Sequence, residues 1–281
     1  MLSFFEQSWT PVWNYSKIWV NGFYLDEFCR NPERNVAMSA VRKIYFGRLF
    51  ARIGVLISCI AARIKRPEWF DVLEGWSFFD EFSPLHLLWF VWMGDMLTQL
   101  FPIGNKIISI GSRKVFKQFF RPAENMPSVE KLTIFSKKAK NGAVRVLIIW
   151  SILIAVLCGF YHRKLLDTAA MLLISAAFYV CDLICVLIWC PFRLIMGTRC
   201  CTTCRIFNWD HMMMFTPMLP VAGFFSVSLI VMSFVVLFFW EYRIKKYPEL
   251  FWEGTNKALR CSECTDKLCT QYCGRKNKTV H

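Results

Sequence analysis

The sequence lacks the short motifs that carry most known enzyme chemistries. It contains no nucleophile elbow, no glycine loop that would cradle phosphate, no His-Glu-x-x-His and no paired-histidine pattern for haem. These absences count against hydrolases, nucleotide-driven enzymes and di-haem cytochromes, but they do not exclude an enzyme of a new kind. Whether the chain is an enzyme therefore stays open at this point.

Acidic residues are also scarce, with 20 Asp and Glu against 34 Lys and Arg and a formal net charge of +14. No recognition-helix signature or aromatic–basic platform of the RNA-binding kind is present, so we expect no nucleic-acid partner. In a membrane protein, such an excess of Lys and Arg over Asp and Glu is typical of loops held against anionic lipid headgroups. The N-terminus has no basic segment followed by an apolar core, so we expect internal segments to provide targeting.

Long apolar runs dominate the composition, which is 56% hydrophobic and 17% aromatic. A soluble domain is nearer about 45–50% apolar, so a large apolar surface must face something other than water. Residues 145–161, 168–192 and 215–240 are long enough to cross a bilayer, and 84–102 forms a fourth such run. The sequence therefore predicts an all-α integral membrane protein with about four transmembrane helices.

Residues 36–66 allow two interpretations. Their apolar positions recur at three and four, which predicts a basic amphipathic helix of the kind that lies in the headgroup layer. A fifth span over 44–62 is the alternative, and it would contain Arg48 and Arg52. Each internal arginine costs roughly 2.5–3.5 kcal/mol on insertion scales, so we slightly favour the interfacial helix.

The domain organisation follows from these runs. We expect an N-terminal interfacial region (1–83), a transmembrane bundle (84–240) and a soluble cysteine-rich tail (241–281). Inside the bundle, the basic linker 104–145 and the cysteine loop 193–214 would both be cytoplasmic by the positive-inside rule. One further crossing would then place the equally basic tail outside. Either the last segment re-enters, or one basic segment lies on the unexpected face.

Seven of the thirteen cysteines form two clusters in polar surroundings. A Cys-x2-Cys pair can share one metal ion or close a disulfide, and nearby arginines favour the thiolate form. The tail spacing of two, four and three intervening residues suits tetrahedral zinc or an iron–sulfur cluster. The loop cluster holds Cys200, Cys201 and Cys204, and the tail cluster holds Cys261, Cys264, Cys269 and Cys273.

The two cysteine clusters form one site or two, depending on topology. On one face of the membrane, Cys201, Cys204, Cys261 and Cys264 would make a two-knuckle metal site, with Asp210 and His211 as further ligands or their partners. On opposite faces, the tail would have to supply its own four ligands. Structural disulfides and unliganded redox thiols remain the alternatives.

Two carboxylates, Asp95 and Asp182, lie inside apolar runs. An intramembrane carboxylate is expensive, so it usually faces the bundle interior and has a partner or a role. Proton or ion handling and a simple inter-helix hydrogen bond are the two interpretations.

The tail spacing is similar to the last four cysteines of auxiliary-cluster domains in radical enzymes, where five residues replace the four here. The runs CCTTCRIFNWDHMMMFTP and CSECTDKLC resemble a group of uncharacterised bacterial multi-span membrane proteins, over roughly residues 84–270. The first resemblance implies metal ligation in general, and the second implies a bacterial cell (plasma) membrane.

Three functional hypotheses result. The first is a membrane-anchored metal-binding or redox protein that holds an iron–sulfur or zinc centre at the membrane surface and passes electrons to a redox partner protein or quinone. The second is a non-enzymatic membrane protein in which zinc or disulfides staple the tail to the bundle. The third is a small-solute or ion transporter that uses Asp95 and Asp182 along its path.

Overall fold

The structure is a computed structural model that describes residues 40–80, 82–101, 119–198 and 204–260. Within these ranges the chain is helical and has no strand, and short 3-10 turns connect its α-helices. The helices are α1 (Ala40–Lys65), α2 (Leu85–Leu100), α3 (Val129–His162), α4 (Thr168–Leu187), α5 (Phe192–Met196), α6 (Asp210–Phe215) and α7 (Phe224–Lys246). The 3-10 turns span Pro67–Leu73, Arg205–Trp209, Thr216–Met218, Pro248–Phe251 and Lys257–Leu259.

Four helices, α1, α3, α4 and α7, are long and apolar enough to cross a membrane. The chain is therefore an all-α multi-pass membrane protein, as the sequence predicts. Helix α1 covers the region for which an interfacial helix and a span were both possible. Its buried face, with Tyr45 and Leu49, packs against Val180, Leu183 and Leu187 of α4. This packing along α4 fits the spanning alternative better than a helix that lies in the headgroup layer.

Helix α2 is shorter than the predicted 84–102 span, at 16 residues or about 24 Å. It runs parallel to α7, because contacts join both ends. Trp89 near its start donates from Nε1 to Ser228 Oγ near the start of α7 at 2.8 Å. Gln99 near its end contacts Asp210, which follows the Trp209 that binds Glu241 near the end of α7. Trp92 is fully buried in the centre of the bundle, with its ring 5.2 Å from that of Phe215. This helix therefore belongs to the core of the bundle.

One end of the bundle, which we call the turn end, is tied together by polar contacts. Arg63 at the end of α1 pairs with Asp167 before α4 at 3.0 Å. In the turn between α1 and α2, Gly75 N donates to Ala222 O at 2.8 Å, and Phe224 N donates to Gly75 O at 3.0 Å. The end of α1 and the starts of α4 and α7 therefore lie at this same end.

The opposite end, which we call the basic end, gathers the start of α1, the first half of α3 and the end of α7. Phe135 of α3 stacks on Trp252 with 5.2 Å between ring centroids. Residues 248–260 fold back on 119–124, where Lys257 N donates to Arg121 O at 2.8 Å. The described cations here include Arg42, Lys43, Arg121, Lys131, Lys137, Lys138, Lys140, Arg193, Arg205, Arg243, Lys245, Lys246, Lys257 and Arg260.

The predicted last span, 215–240, is not one helix. Arg205 pairs with Glu241 near the end of α7, whereas Phe224 begins α7 at the turn end. These two positions on α7 are about 25 Å apart along the helix axis. Residues 205–223 therefore run antiparallel to α7 as a broken crossing of short helices and turns. Cys204 and the first part of the tail therefore lie at the same end of the bundle. The positive-inside rule then places the basic loop and the basic tail on the same side of the membrane, and the conflict between them is removed.

Candidate functional site

A buried ion pair joins α1 to α4. Arg52 donates from Nη1 to Asp182 Oδ2 and to the Tyr179 carbonyl oxygen, both at 2.7 Å. Its guanidinium carbon lies 3.8 Å from the centre of the Tyr179 ring, which is cation–π contact distance. These contacts explain how α1 carries an arginine at the middle of its length, since the charge turns inward to a carboxylate and a ring.

Asp95 of α2 extends this pair toward the broken crossing. Its Oδ2 lies 3.6 Å from Arg52 Nη2 and 3.4 Å from His211 Nε2. His211 Nδ1 is in turn 3.2 Å from Asp210 Oδ1. Gln99, one turn after Asp95, donates from Nε2 to Asp210 Oδ2 at 3.0 Å. We call this group the polar cluster, and its members are Arg52, Asp95, Gln99, Asp182, Asp210 and His211.

The polar cluster is charged and largely shielded. The His211 side chain is 4% exposed and that of Arg52 is 13% exposed, whereas Asp95 is more open, at 36%. At an effective dielectric constant of about 20, two unit charges 4 Å apart interact by roughly 4 kcal/mol, so these distances imply strong coupling among the groups. Three carboxylates face one guanidinium and one imidazole.

Several buried polar atoms near the cluster have no hydrogen-bond partner among the described residues. Within the cluster this holds for Gln99 Oε1, whereas Asp210 Oδ1 and His211 Nδ1 lie 3.2 Å from each other. Two more lie beside it, at Trp92 Nε1 and at Ser175 Oγ, one turn before Tyr179 on α4. Buried polar atoms in such numbers usually hold a water, an ion or a ligand. The polar region thus extends from the cluster into the bundle toward the turn end.

The structure brings together both intramembrane carboxylates and also three partners that sequence reasoning did not place with them. Arg52 was expected only as a costly arginine inside a span over 44–62, and Asp210 and His211 only as further metal ligands or their partners at the cysteine site. The sequence held one signal for this cluster: Arg52 lies inside one apolar run, and Asp95 and Asp182 lie inside two others. His86, by contrast, lies outside the cluster and contacts the Phe78 carbonyl oxygen at 2.7 Å.

Of the predicted metal-binding cysteines, only Cys204 lies within the described residues, and the other six (Cys200, Cys201, Cys261, Cys264, Cys269 and Cys273) lie outside them. Cys204 lines a small cavity of about 30 Å³ with Phe135, Ile244 and Phe251. Across the part of the chain that the structure describes, no group of three or more His, Cys, Asp or Glu side chains is arranged to hold a metal ion.

The first part of the tail is anchored beside this cavity. Lys257 Nζ donates to Glu124 Oε1 at 2.5 Å, and this hydrogen bond holds the pKa of the Glu124 carboxyl below its usual value. Asn256 Nδ2 donates to the Leu250 carbonyl oxygen at 2.9 Å inside the fold. The chain up to Arg260 is therefore fixed at the basic end, directly before the tail cysteines.

Comparison of the sequence with protein-family models, with curated proteins and with solved structures finds no significant match. The resemblance to bacterial multi-span proteins stays a prediction.

Proposed function

We propose that the protein is a membrane transporter that moves a proton or a small cation along a path through the polar cluster. One observation carries the proposal: three carboxylates, a guanidinium and an imidazole meet inside a bundle of membrane-spanning helices. The proposed setting is a bacterial cell membrane, with the basic end toward the cytoplasm and its anionic headgroups.

Stability alone is a poor reason to bury these charges. Removing an ion from water costs several kcal/mol, and well-packed apolar replacements of a buried ion pair are often equally stable or more stable. Ionisable groups inside membrane bundles instead commonly mark ion paths and proton relays. Arg52, Asp95 and Asp182 come from three different helices, which is the arrangement that such a path needs.

The broken crossing adds a second argument. At membrane depth, non-helical backbone is tolerated only where protein buries it or where it lines a polar cavity. Residues 205–223 meet that condition, because Trp209, Phe215 and Met218 on this segment are buried. In transporters, interrupted helices of this kind typically carry the groups that meet the transported ion. Asp210 and His211 occupy that position here.

Helix α1 lies on the outside of the bundle and closes the polar cluster from one side. Only 17% of its most apolar window is buried, against 50% for α4. Its main contacts are with α4 and with the turn at Pro67–Leu73, and Arg52 is the residue that it contributes to the cluster. Arg52 therefore covers Asp95 and Asp182 from the α1 side, and Cys59 of the same helix packs into the core that contains Trp92.

Reconstituted liposomes test the proposal. Full-length protein is placed in vesicles loaded with a dye sensitive to protons, to sodium or to potassium, and a gradient of the matching ion is imposed at a clamped potential. We expect a flux above that of empty vesicles. This flux should be lost in Asp182→Asn and retained in Asp167→Asn, which alters an exposed carboxylate directly before the same helix. Wild-type vesicles that match empty vesicles for all three ions would contradict the proposal.

A cysteine-ligated iron–sulfur or zinc centre at the basic end is the second candidate function. The observation that favours it is the position of Cys204 beside Ile244 and Phe251, which places the loop next to the chain that leads into the tail. Thiolates of Cys201, Cys204, Cys261 and Cys264 would then be ligands of one site. Such a centre would pass electrons to a redox partner or quinone, or would staple the tail to the bundle.

Metal analysis tests this second candidate. An anaerobic preparation is expected to hold stoichiometric iron with colour or zinc without colour, and Cys204→Ser should lower the metal content. Cys158→Ser, in the apolar half of α3, is the matched control and should leave the metal content unchanged. A preparation without iron or zinc would end the ligation hypothesis.

A further inference from the structure

Two cysteine side chains meet where α4 ends and the chain turns toward α5. Cys185 lies in the last turn of α4, and Cys190 lies in the short link that follows. The Ile184 carbonyl oxygen accepts from Ile188 N at 2.8 Å and from Trp189 N at 3.1 Å. This turn ends the helix and folds the chain back, so that the side chains of Cys185 and Cys190 are in hydrogen-bonding contact. Both are thiols and are not joined by a disulfide.

The cysteines at this helix end differ in their exposure. Cys190 is 9% exposed, Cys185 is half-buried, and Cys181, one turn before Cys185, is exposed. Because α4 begins at the turn end beside Asp167, all three lie toward the basic end. A small molecule can therefore reach Cys185 from outside the bundle, while Cys190 waits behind it.

We infer that Cys185 and Cys190 form a redox-active dithiol that a small disulfide of the glutathione type oxidises to an intramolecular disulfide. The S–S bond is about 2.0 Å long, so two thiols already in contact need only a small shift of their side chains to close it. A lone buried cysteine would act as a small apolar side chain. Contact between two thiols at an accessible helix end is what distinguishes this pair.

The oxidation proceeds by two thiol–disulfide exchanges. The sulfur of Cys185 attacks the small disulfide, forms a mixed disulfide with one half and releases the other half as a thiol. The sulfur of Cys190 then attacks the Cys185 sulfur, closes the protein disulfide and releases the second half as a thiol. The two cysteines lose two hydrogens and two electrons in total, and the small disulfide gains them.

The position of the pair gives the bond a structural consequence. Asp182 of the polar cluster lies one turn before Cys185 on α4, and Met196 of α5 packs with Ala143 and Val146 of α3. The disulfide would fix the last turn of α4 to the link that leads into α5. Cytoplasmic disulfides are transient and often sense oxidation, so with the basic end in the cytoplasm the dithiol is the resting form. This site does not depend on the transport function.

Mass mapping of the full-length protein in nanodiscs tests the inference. The protein is equilibrated at constant pH with mixtures of reduced and oxidised glutathione, quenched with acid, alkylated with N-ethylmaleimide and digested with trypsin. One tryptic peptide, 165–193, carries Cys181, Cys185 and Cys190 and no other cysteine. Under reducing mixtures we expect three alkylated thiols in it. Under oxidising mixtures we expect a peptide lighter by two hydrogens with one alkyl group, on Cys181.

The transition should follow mass action for one two-electron couple. The disulfide fraction should rise from about one tenth to about nine tenths over a roughly hundredfold change in the ratio of oxidised glutathione to the square of reduced glutathione. Three alkylated thiols at every ratio would overturn the inference. A mixed disulfide with glutathione that never closes, or a cross-link from this peptide to another part of the chain, would overturn it as well.

Two variants identify the partners in the bond. Cys190→Ser should abolish the lighter peptide, whereas Cys181→Ser, the matched control on the same helix, should retain it with no alkyl group. A lighter peptide that persists in Cys190→Ser would place the bond between Cys181 and Cys185 and would overturn the assigned pair. The mapping of the wild-type protein stands even if a variant fails to fold, because its fragment masses locate the alkyl group directly.

Discussion

The contribution of the buried Arg52–Asp182 pair to the free energy of unfolding can be measured directly. Arg52→Met keeps much of the side-chain volume but leaves two carboxylates, Asp182 and Asp95, without their guanidinium partner. Removing one member of a buried pair typically costs about 3–5 kcal/mol. The lost contact with the Tyr179 ring contributes about 1 kcal/mol within that total.

A double variant distinguishes charge from packing. Asp182→Leu alone leaves the Arg52 charge with Asp95 at 3.6 Å as its remaining carboxylate. The combination of Arg52→Met with Asp182→Leu replaces both charges by apolar groups, which is often close to neutral. We therefore expect the double variant to be more stable than Arg52→Met, with a coupling energy of about 2–3 kcal/mol.

The chain offers a matched control for this cycle. Arg63 and Asp167 also join α1 to α4, at 3.0 Å, but their side chains are 40% and 58% exposed. An exposed pair is worth about 0–1 kcal/mol, so Arg63→Met should have little effect. Unfolding of the purified protein in mixed micelles, followed by tryptophan fluorescence against denaturant, measures all variants. If Arg52→Met were no more harmful than Arg63→Met, the claim that the cluster is a desolvated, coupled unit would be refuted.

Three further predictions concern the two ends of the bundle. Gly223→Ala should lower the free energy of unfolding by about 1–3 kcal/mol, because a Cβ atom there would overlap the Leu73 carbonyl oxygen. Gly94→Ala on α2 is the control, since a Cβ atom there meets open space. In the same unfolding assay it should be neutral or stabilise the protein by up to about 1 kcal/mol. Glu241→Leu leaves Arg205 and the Trp209 indole without their carboxylate and should cost about 1–3 kcal/mol, whereas Glu253→Leu, beyond this contact, should not. A reporter fused after residue 80 should lie outside the cell, and one fused after residue 260 should lie in the cytoplasm. If both reporters lay on the same side, the described path of the chain would be contradicted.

The long spans could be predicted from the sequence because their signal is local. An unbroken apolar run predicts a membrane helix whatever its neighbours are, and α3, α4 and α7 each overlap a predicted run. The span of α1 was harder, since Arg52 adds an insertion penalty that only a partner offsets. That partner, Asp182, is 130 residues away in the sequence, and no local pattern connects the two.

Hydropathy alone also could not predict the broken crossing. Residues 215–240 form one apolar stretch, and composition alone favours one helix over two passes of the chain. The break follows from tertiary contacts that fix Gly223 against Gly75 at one end and Trp209 against Glu241 at the other. Pro217 and Pro220 were the local signals for a break, because proline removes a backbone donor from a helix.

The two candidate functions share a segment and can be tested for coupling. Cys204 precedes Asp210 by six residues, and the intervening Ile206, Asn208 and Trp209 are buried. Arg205 and Trp209 fix this segment to Glu241 of α7, so a change at Cys204 reaches Asp210 along a short, packed path. If a metal at the cysteine clusters holds the segment in place, Cys204→Ser should lower both the metal content and the ion flux, while Cys158→Ser lowers neither. A Cys204→Ser variant that loses metal but keeps the full flux would show that the cysteine site and the polar cluster act independently, since the segment would then be positioned by its contacts with Glu241 alone.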